Sequence, residues 1–199
     1  MKIVKRKDPF RIEERRAKLA RGQSYKRLRE TYSTRYPEIK NINTPIFWDS
    51  FNTEGIKGKN PMDGDRINII SRYIKGGKVL NIGFGSASLE RKYFKSYQQE
   101  SLNWSAIDIS PASVKKAKKE FPQCKFEVRN ILNLKFKDNS FDYVVTLEVL
   151  EHISPRNTFK ALNEIFRVIK QGGGIYRFCA IKRRAKRNDF SRRKSKCPC

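Results

Sequence analysis

The sequence predicts an α/β fold, an open and mainly parallel sheet with helices on both faces. Three observations predict it. The apolar run Val79-Leu80-Asn81-Ile82 meets a glycine pair, Gly83 and Gly85, before a helical pattern, which is a strand, a tight turn and a helix. Strand-like and helix-like segments then alternate as far as Ile181. An acid, Asp108, stands at the end of the next apolar run, 25 residues after Gly83. That corner of an open sheet is where such folds hold ligands, so the architecture reads as Rossmann-like.

Charge divides the chain into three parts. Its 199 residues carry 45 Lys and Arg against 20 Asp and Glu, a formal charge of +25. Residues 1–40 hold fourteen bases and five acids, and residues 182–199 hold nine bases and one acid. Most of the excess therefore lies outside the apolar middle. The expected parts are a basic helical extension with an aromatic-containing loop over 1–60, a domain over 61–181, and a basic tail over 182–199. Basic ends suit nucleic acid or another polyanion as partner, although a lysine-rich composition alone also gives a solvated basic surface. No apolar run approaches the roughly 20 residues needed to span a bilayer. With no secretory signal, a cytoplasmic chain with reduced thiols is expected. Cys197-Pro198-Cys199 lacks zinc-knuckle spacing and His152 is the only histidine, so no metal site is expected.

Taken in order, Phe10 to Tyr36 predicts helix, weakened at Gly22. Pro37 stops it, and 38–60 reads as irregular, with Phe47, Trp48 and Phe51 as anchors that either pin the loop or wall a pocket. Ile67, Ile70 and Ile74 are spaced for a helix ending at Gly76-Gly77. After the glycine turn a helix runs through Leu89 to Phe94. The second strand spans 102–109. Ser110-Pro111 signals a capped helix with Val114, Ala117 and Phe121 inward and the lysines at 115, 116, 118 and 119 outward. The third strand is 125–129 and the fourth 141–147. A helix over 156–170 presents Phe159, Leu162, Ile165, Phe166 and Ile169 as its buried stripe. Gln171 to Gly174 closes it, and strand five begins at Ile175.

Position 88 is Ser rather than the third glycine of a pyrophosphate-binding turn, which disfavours a dinucleotide and suits a nucleoside ligand without phosphates. An acid at the end of strand two can accept ribose hydroxyls.

With these motifs in order, the chain resembles the class I S-adenosylmethionine-dependent methyltransferases of the type 11-like group, over about residues 60–181. The matching segments are Val79 to Ala87, Ile107 to Ser110, Phe126 to Phe136 with Asn139 to Val145, Leu147 to Ile153, and Leu162 to Gly173. The resemblance implies S-adenosyl-L-methionine as cofactor. It implies Asn81, Gly83, Gly85, Asp108, Ile109, Asn130, Ile131, Leu147 and Glu148 as its binding residues, with Asp108 on the ribose and Asn130 and Ile131 near adenine. His152, the one imidazole, is the candidate catalytic base.

The departures from the family pattern are specific. Asn81 and Asn130 replace usual acids, which weakens attraction for cationic groups. Asn130 keeps a carbonyl acceptor. Ala87 replaces a common glycine and requires a right-handed backbone to be tolerated. The chain reads as shortened after strand five, leaving an open edge for the tail, a second copy or a partner chain to cover. Two readings result: a methyltransferase acting on a small-molecule or nucleic-acid acceptor, or a degenerate module of the same fold that binds nucleic acid or a protein without catalysis.

Overall fold

The computed structural model describes residues 22–23, 25–34, 37–38, 41–53, 67–70, 72–74, 76–96 and 102–178. The expected basic start, residues 54–66 and the basic tail lie outside the described residues.

Helix α1 (residues 25–34) and helix α2 (Pro45–Thr53) precede the sheet, followed by α3 (residues 67–70 and 72–73). Then come β1 (Gly77–Ile82), α4 (Ser88–Ser96), β2 (Leu102–Asp108), α5 (Pro111–Glu120), β3 (Lys125–Val128), β4 (Phe141–Leu147), a 3₁₀ turn at Leu150–His152, α6 (Thr158–Val168) and β5 (Ile169–Phe178). The strand order is β3-β2-β1-β4-β5, with every neighbouring pair parallel. The chain leaves β1 toward β2 and β3, then returns to the other side of β1 with β4. That reversal opens a crevice at the strand C-termini, where open α/β sheets bind ligands.

Period-two alternation splits the sheet residues between two cores. Val79, Trp104, Ala106, Phe126 and Val145 pack with Ile67, Ile70 and Ile74 and with Leu89, Tyr93, Val114 and Ala117, so α3, α4 and α5 cover one face. Leu80, Ile82, Ile107 and Val144 pack with Ala161, Ile165 and Val168 of α6 on the other. Cys124 is buried beside the first core, and burial pushes its thiol up to about 12. The N-terminal edge of the sheet is fastened by Asp142. Its carboxylate accepts the Lys78 backbone N–H at 2.8 Å and the Lys170 Nζ at 2.7 Å.

Four expectations are corrected. Residues 38–60 are not wholly irregular, because Thr44 and Pro45 open helix α2. The Thr44 Oγ1 accepts the Phe47 N–H at 3.3 Å. Phe159 and Phe166 are exposed, at 53% and 61%. The buried face of α6 is Thr158, Ala161, Ile165 and Val168, spaced three and four apart. The helix also ends at Val168, and β5 begins at once with Ile169 opposite Phe141. The glycine run lies inside β5 rather than before it. The register shifts between Phe141 and Tyr143, and pairing resumes at Gly174. A Cβ on Gly173 would stand 2.8 Å from the Asp142 carbonyl oxygen, so the bulge requires glycine there. Finally, Ala87 has a φ of 57°, in the left-handed rather than the right-handed region. This conformation costs a non-glycine residue about 1–2 kcal/mol. Burial of its methyl and the Ala87 N–H bond to the Phe84 carbonyl at 2.9 Å hold it there.

The corrected face of α6 has a direct check. Ile165→Ala should cost about 2–5 kcal/mol in urea unfolding, whereas Phe166→Ser should stay within about 1 kcal/mol of wild type.

Candidate functional site

The crevice above β1, β2 and β4 opens into a cavity of about 1,810 Å³. All ten residues singled out in the sequence line it: Asn81, Gly83, Gly85, Asp108, Ile109, Asn130, Ile131, Leu147, Glu148 and His152.

The turn after β1 is shaped by what it must avoid and what it must leave open. Gly83 has a φ of 70°, and a Cβ there would lie 2.4 Å from Val149 Cγ2. Its N–H donates to the Ile107 carbonyl at 2.7 Å. Gly85 has a φ of 53°, and a Cβ there would meet nothing within 4 Å. The turn therefore keeps a side-chain-free cradle on the cavity wall.

Asp108 ends β2 and fixes this corner. One carboxylate oxygen accepts the Gly85 N–H at 2.9 Å, and the other accepts the Ser110 N–H at 2.9 Å. A carboxylate offers about four lone-pair positions, so acceptor capacity remains for hydroxyl donors. Burial raises its pKa, against the lowering by those backbone donors. Ser110 in turn caps α5, accepting the Ser113 N–H at 3.1 Å. Its hydroxyl donates to Asp49 of α2, which also accepts the Ala112 N–H at 3.1 Å. Asn52 of α2 donates to the Ser113 hydroxyl at 2.8 Å. These bonds seat α2 over the N-terminus of α5, beside the cavity.

The loop after β3 carries Asn130 and Ile131. The Asn130 side-chain carbonyl accepts the Leu132 N–H at 2.9 Å. That bond uses one of the carbonyl's two acceptor positions, so the side chain keeps an acceptor position together with the donors of its amide nitrogen. Arg129 donates to the Leu134 carbonyl at 2.6 Å, and Glu164 of α6 accepts the Leu134 N–H at 2.8 Å. Both ends of the loop are tied down, so Ile131 is held as one apolar wall.

After β4, Glu148 takes a φ of 53°, strained for a non-glycine residue. The 3₁₀ turn then places His152 against the N-terminal aromatic group. Its ring lies 4.8 Å from that of Trp48 at 82°, and 5.9 Å from that of Tyr32 at 28°. Tyr25, Tyr32, Trp48 and Phe51 line the same end of the cavity. Burial pushes the His152 imidazole down to about 4 against the opposing pull of Glu148, and its Nδ1 has no hydrogen-bond partner among the described residues. It is therefore neutral at physiological pH.

Sequence reasoning left open whether Trp48 and Phe51 line a pocket. It missed Asp49 and Asn52, whose partners lie about sixty residues away on α5. It also missed Glu90, a charged residue buried beneath α4. Phe47, Trp48 and Phe51 at positions i, i+1 and i+4 are the one signal that could have disclosed the α2 wall.

Fold and crevice together define a Rossmann-like domain with an open cavity at the strand C-termini. Comparison with known proteins narrows the class. Residues 79–173 match the family model described as a methyltransferase domain. It is 47% identical over 70 residues to an uncharacterised protein of Methanocaldococcus jannaschii, covering 35% of this chain and 28% of that one. It is 36% identical over 101 residues to the 2-methyl-6-phytyl-1,4-hydroquinone methyltransferase of Synechocystis, covering 49% and 30%. The matches thus span less than a third of the length of these relatives. The N-methyltransferase NodS of Bradyrhizobium japonicum, solved with S-adenosyl-L-homocysteine, shares the fold with a TM-score of 0.54 and 16% identity, covering 64% of this chain and 70% of that one. Among the described residues, no helix is long and apolar enough to cross a membrane.

The His152 environment gives a signed pH prediction. The unfolded imidazole titrates near 6.5 and the folded one near 4, so the unfolded chain binds more protons between those values. Stability should fall as pH drops through that window. His152→Gln, neutral throughout, should flatten this part of a melting-temperature profile measured from pH 7.5 to 4.5.

Proposed function

We propose that the chain binds S-adenosylmethionine in the crevice and transfers its methyl group to a small-molecule acceptor with a planar, apolar body. The observation that carries this reading is the single cavity joining the glycine cradle and Asp108 to the aromatic end around His152. At about 1,810 Å³ it exceeds the roughly 300–1,000 Å³ of a usual one-ligand pocket, so two ligands can lie side by side.

The residues present fit the cofactor. The open cradle at Gly85 admits close approach, Asp108 retains acceptor capacity for ribose hydroxyls, and Ile131 with the Asn130 amide suits an adenine ring. When bound, the cofactor supplies an electrophilic methyl on a sulfonium. The chain's own contribution is to hold an acceptor in line with that methyl, where proximity does most of the work. Tyr32, Trp48 and Phe51 offer flat apolar walls for such an acceptor. A neutral His152 neither repels a sulfonium nor ties up its Nδ1. As a weak base it suits a proton that becomes acidic only as the acceptor is methylated. Glu148 favours the imidazolium that would result.

The basic composition supports a second reading, in which the ends outside the described residues bind nucleic acid and the acceptor is part of it. The two readings separate by salt. Deleting residues 182–199 should flatten the salt dependence of binding to a single-stranded RNA, and an unchanged slope removes the tail from the phosphate contacts.

The cofactor reading is checked by calorimetric titration with S-adenosylhomocysteine. Micromolar binding is expected, and Asp108→Ala should weaken it by about tenfold to a hundredfold, as loss of charged hydrogen bonds to two hydroxyls does. No wild-type binding at millimolar ligand would sink the reading.

A further inference from the structure

Glu90 is fully buried on α4, on the face of the sheet that carries Asn81 and Trp104. Its Oε1 accepts the Asn81 Nδ2 at 2.7 Å and the Trp104 Nε1 at 3.1 Å. Its Oε2 has no hydrogen-bond partner among the described residues. Packing alone does not account for a carboxyl here, because an apolar side chain would avoid the cost of an unpartnered buried oxygen. Asn81 also lines the cavity, whereas Glu90 does not.

An amide can offer a cavity either its oxygen or its nitrogen. The oxygen and nitrogen leave the amide carbon in divergent directions, so fixing one fixes the other. With Nδ2 given to Glu90, Oδ1 is the end turned away from Glu90. We propose that Glu90 is a positioning residue: it locks the Asn81 amide so that its carbonyl oxygen, not its NH₂, serves the cavity as an acceptor for a cationic amine on the ligand. The inference rests on the cofactor reading above, and the amine is that of the cofactor's amino-acid tail. A neutral Asn81 free to turn over would present its donors to an ammonium in one of its two amide orientations. Trp104 donates to the same Oε1, so Glu90 itself cannot turn without losing a second bond. The arrangement restores, through a residue outside the cavity, an acceptor where Asn81 stands in place of an acid.

The test compares two ligands and three variants by calorimetry. S-adenosylhomocysteine carries the amino-acid tail. Methylthioadenosine has the same adenosine and thioether without it. Glu90→Leu should weaken S-adenosylhomocysteine about tenfold and methylthioadenosine less than about twofold, since only the tail loses its oriented partner. Glu90→Gln keeps a carbonyl oxygen to accept from Asn81 and Trp104, so it should hold the wild-type ratio of the two affinities. Asn81→Leu should show the same selective loss as Glu90→Leu, and decides the matter if Glu90→Leu does not fold. An unchanged ratio in a folded Glu90→Leu, or in Asn81→Leu, overturns the proposal. Absence of wild-type binding to either ligand instead sinks the cofactor reading and this inference with it.

Discussion

The Asp108 carboxylate is the constraint on which the crevice depends. Its two oxygens bind backbone N–H groups of Gly85 and Ser110, which belong to the turns after different strands. Together with the Gly83 N–H bond to the Ile107 carbonyl, that bridge sets the distance between the glycine cradle and the start of α5. The bridge then extends outward, because Ser110 binds Asp49 and so brings α2 to the same corner. One buried acid thus links the β1 turn, the β2 end, the α5 cap and the aromatic wall. A buried charge of this kind is retained only with good donors around it. Here the donors are backbone groups, which cannot rotate away.

A second constraint concerns polarity. Near the cradle the chain uses amides, Asn81 and Asn130, at two positions where an acid would bring charge. Each amide is oriented by a specific partner: Glu90 for Asn81 and the Leu132 N–H for Asn130. The first directs its oxygen away from its partner, and the second its nitrogen. Amides can do this because they carry both functions, but only if the surroundings choose between them. The left-handed conformations at Ala87 and Glu148 fit the same pattern, since local strain is kept where the cavity wall is formed.

The sheet was legible because its strands are short apolar runs bounded by glycine, proline and capping serine. Those signals act within a few residues, and β1 through β4 follow them closely. The lining residues were legible because strand ends in an open sheet converge by topology. What escaped was decided over long distances. Helix α2 read as loop, since its attachment comes from Asp49 and Asn52 reaching to α5. Glu90 gave no local signal, since its partners sit on β1 and β2. Phe159 and Phe166 read as core by hydrophobicity, although the geometry of α6 gives the inner face to smaller and branched residues. The bulge in β5 was hidden because a glycine run ends a helix as readily as it lets a strand kink.

Cys124 sits at the entry to β3, buried beside the core that joins α4, α5 and β2. The thiolate is the nucleophilic form, and burial keeps this sulfur in its protonated state. Alkylating reagents and oxidants therefore meet an inert group while that layer is closed. Reaction at this sulfur becomes a clock for the opening of the β2–β3 half of the sheet, timed separately from anything that happens in the crevice. The same shielding gives the folded domain an intrinsic resistance to oxidative modification at this position, which comes from solvation rather than from any protective partner.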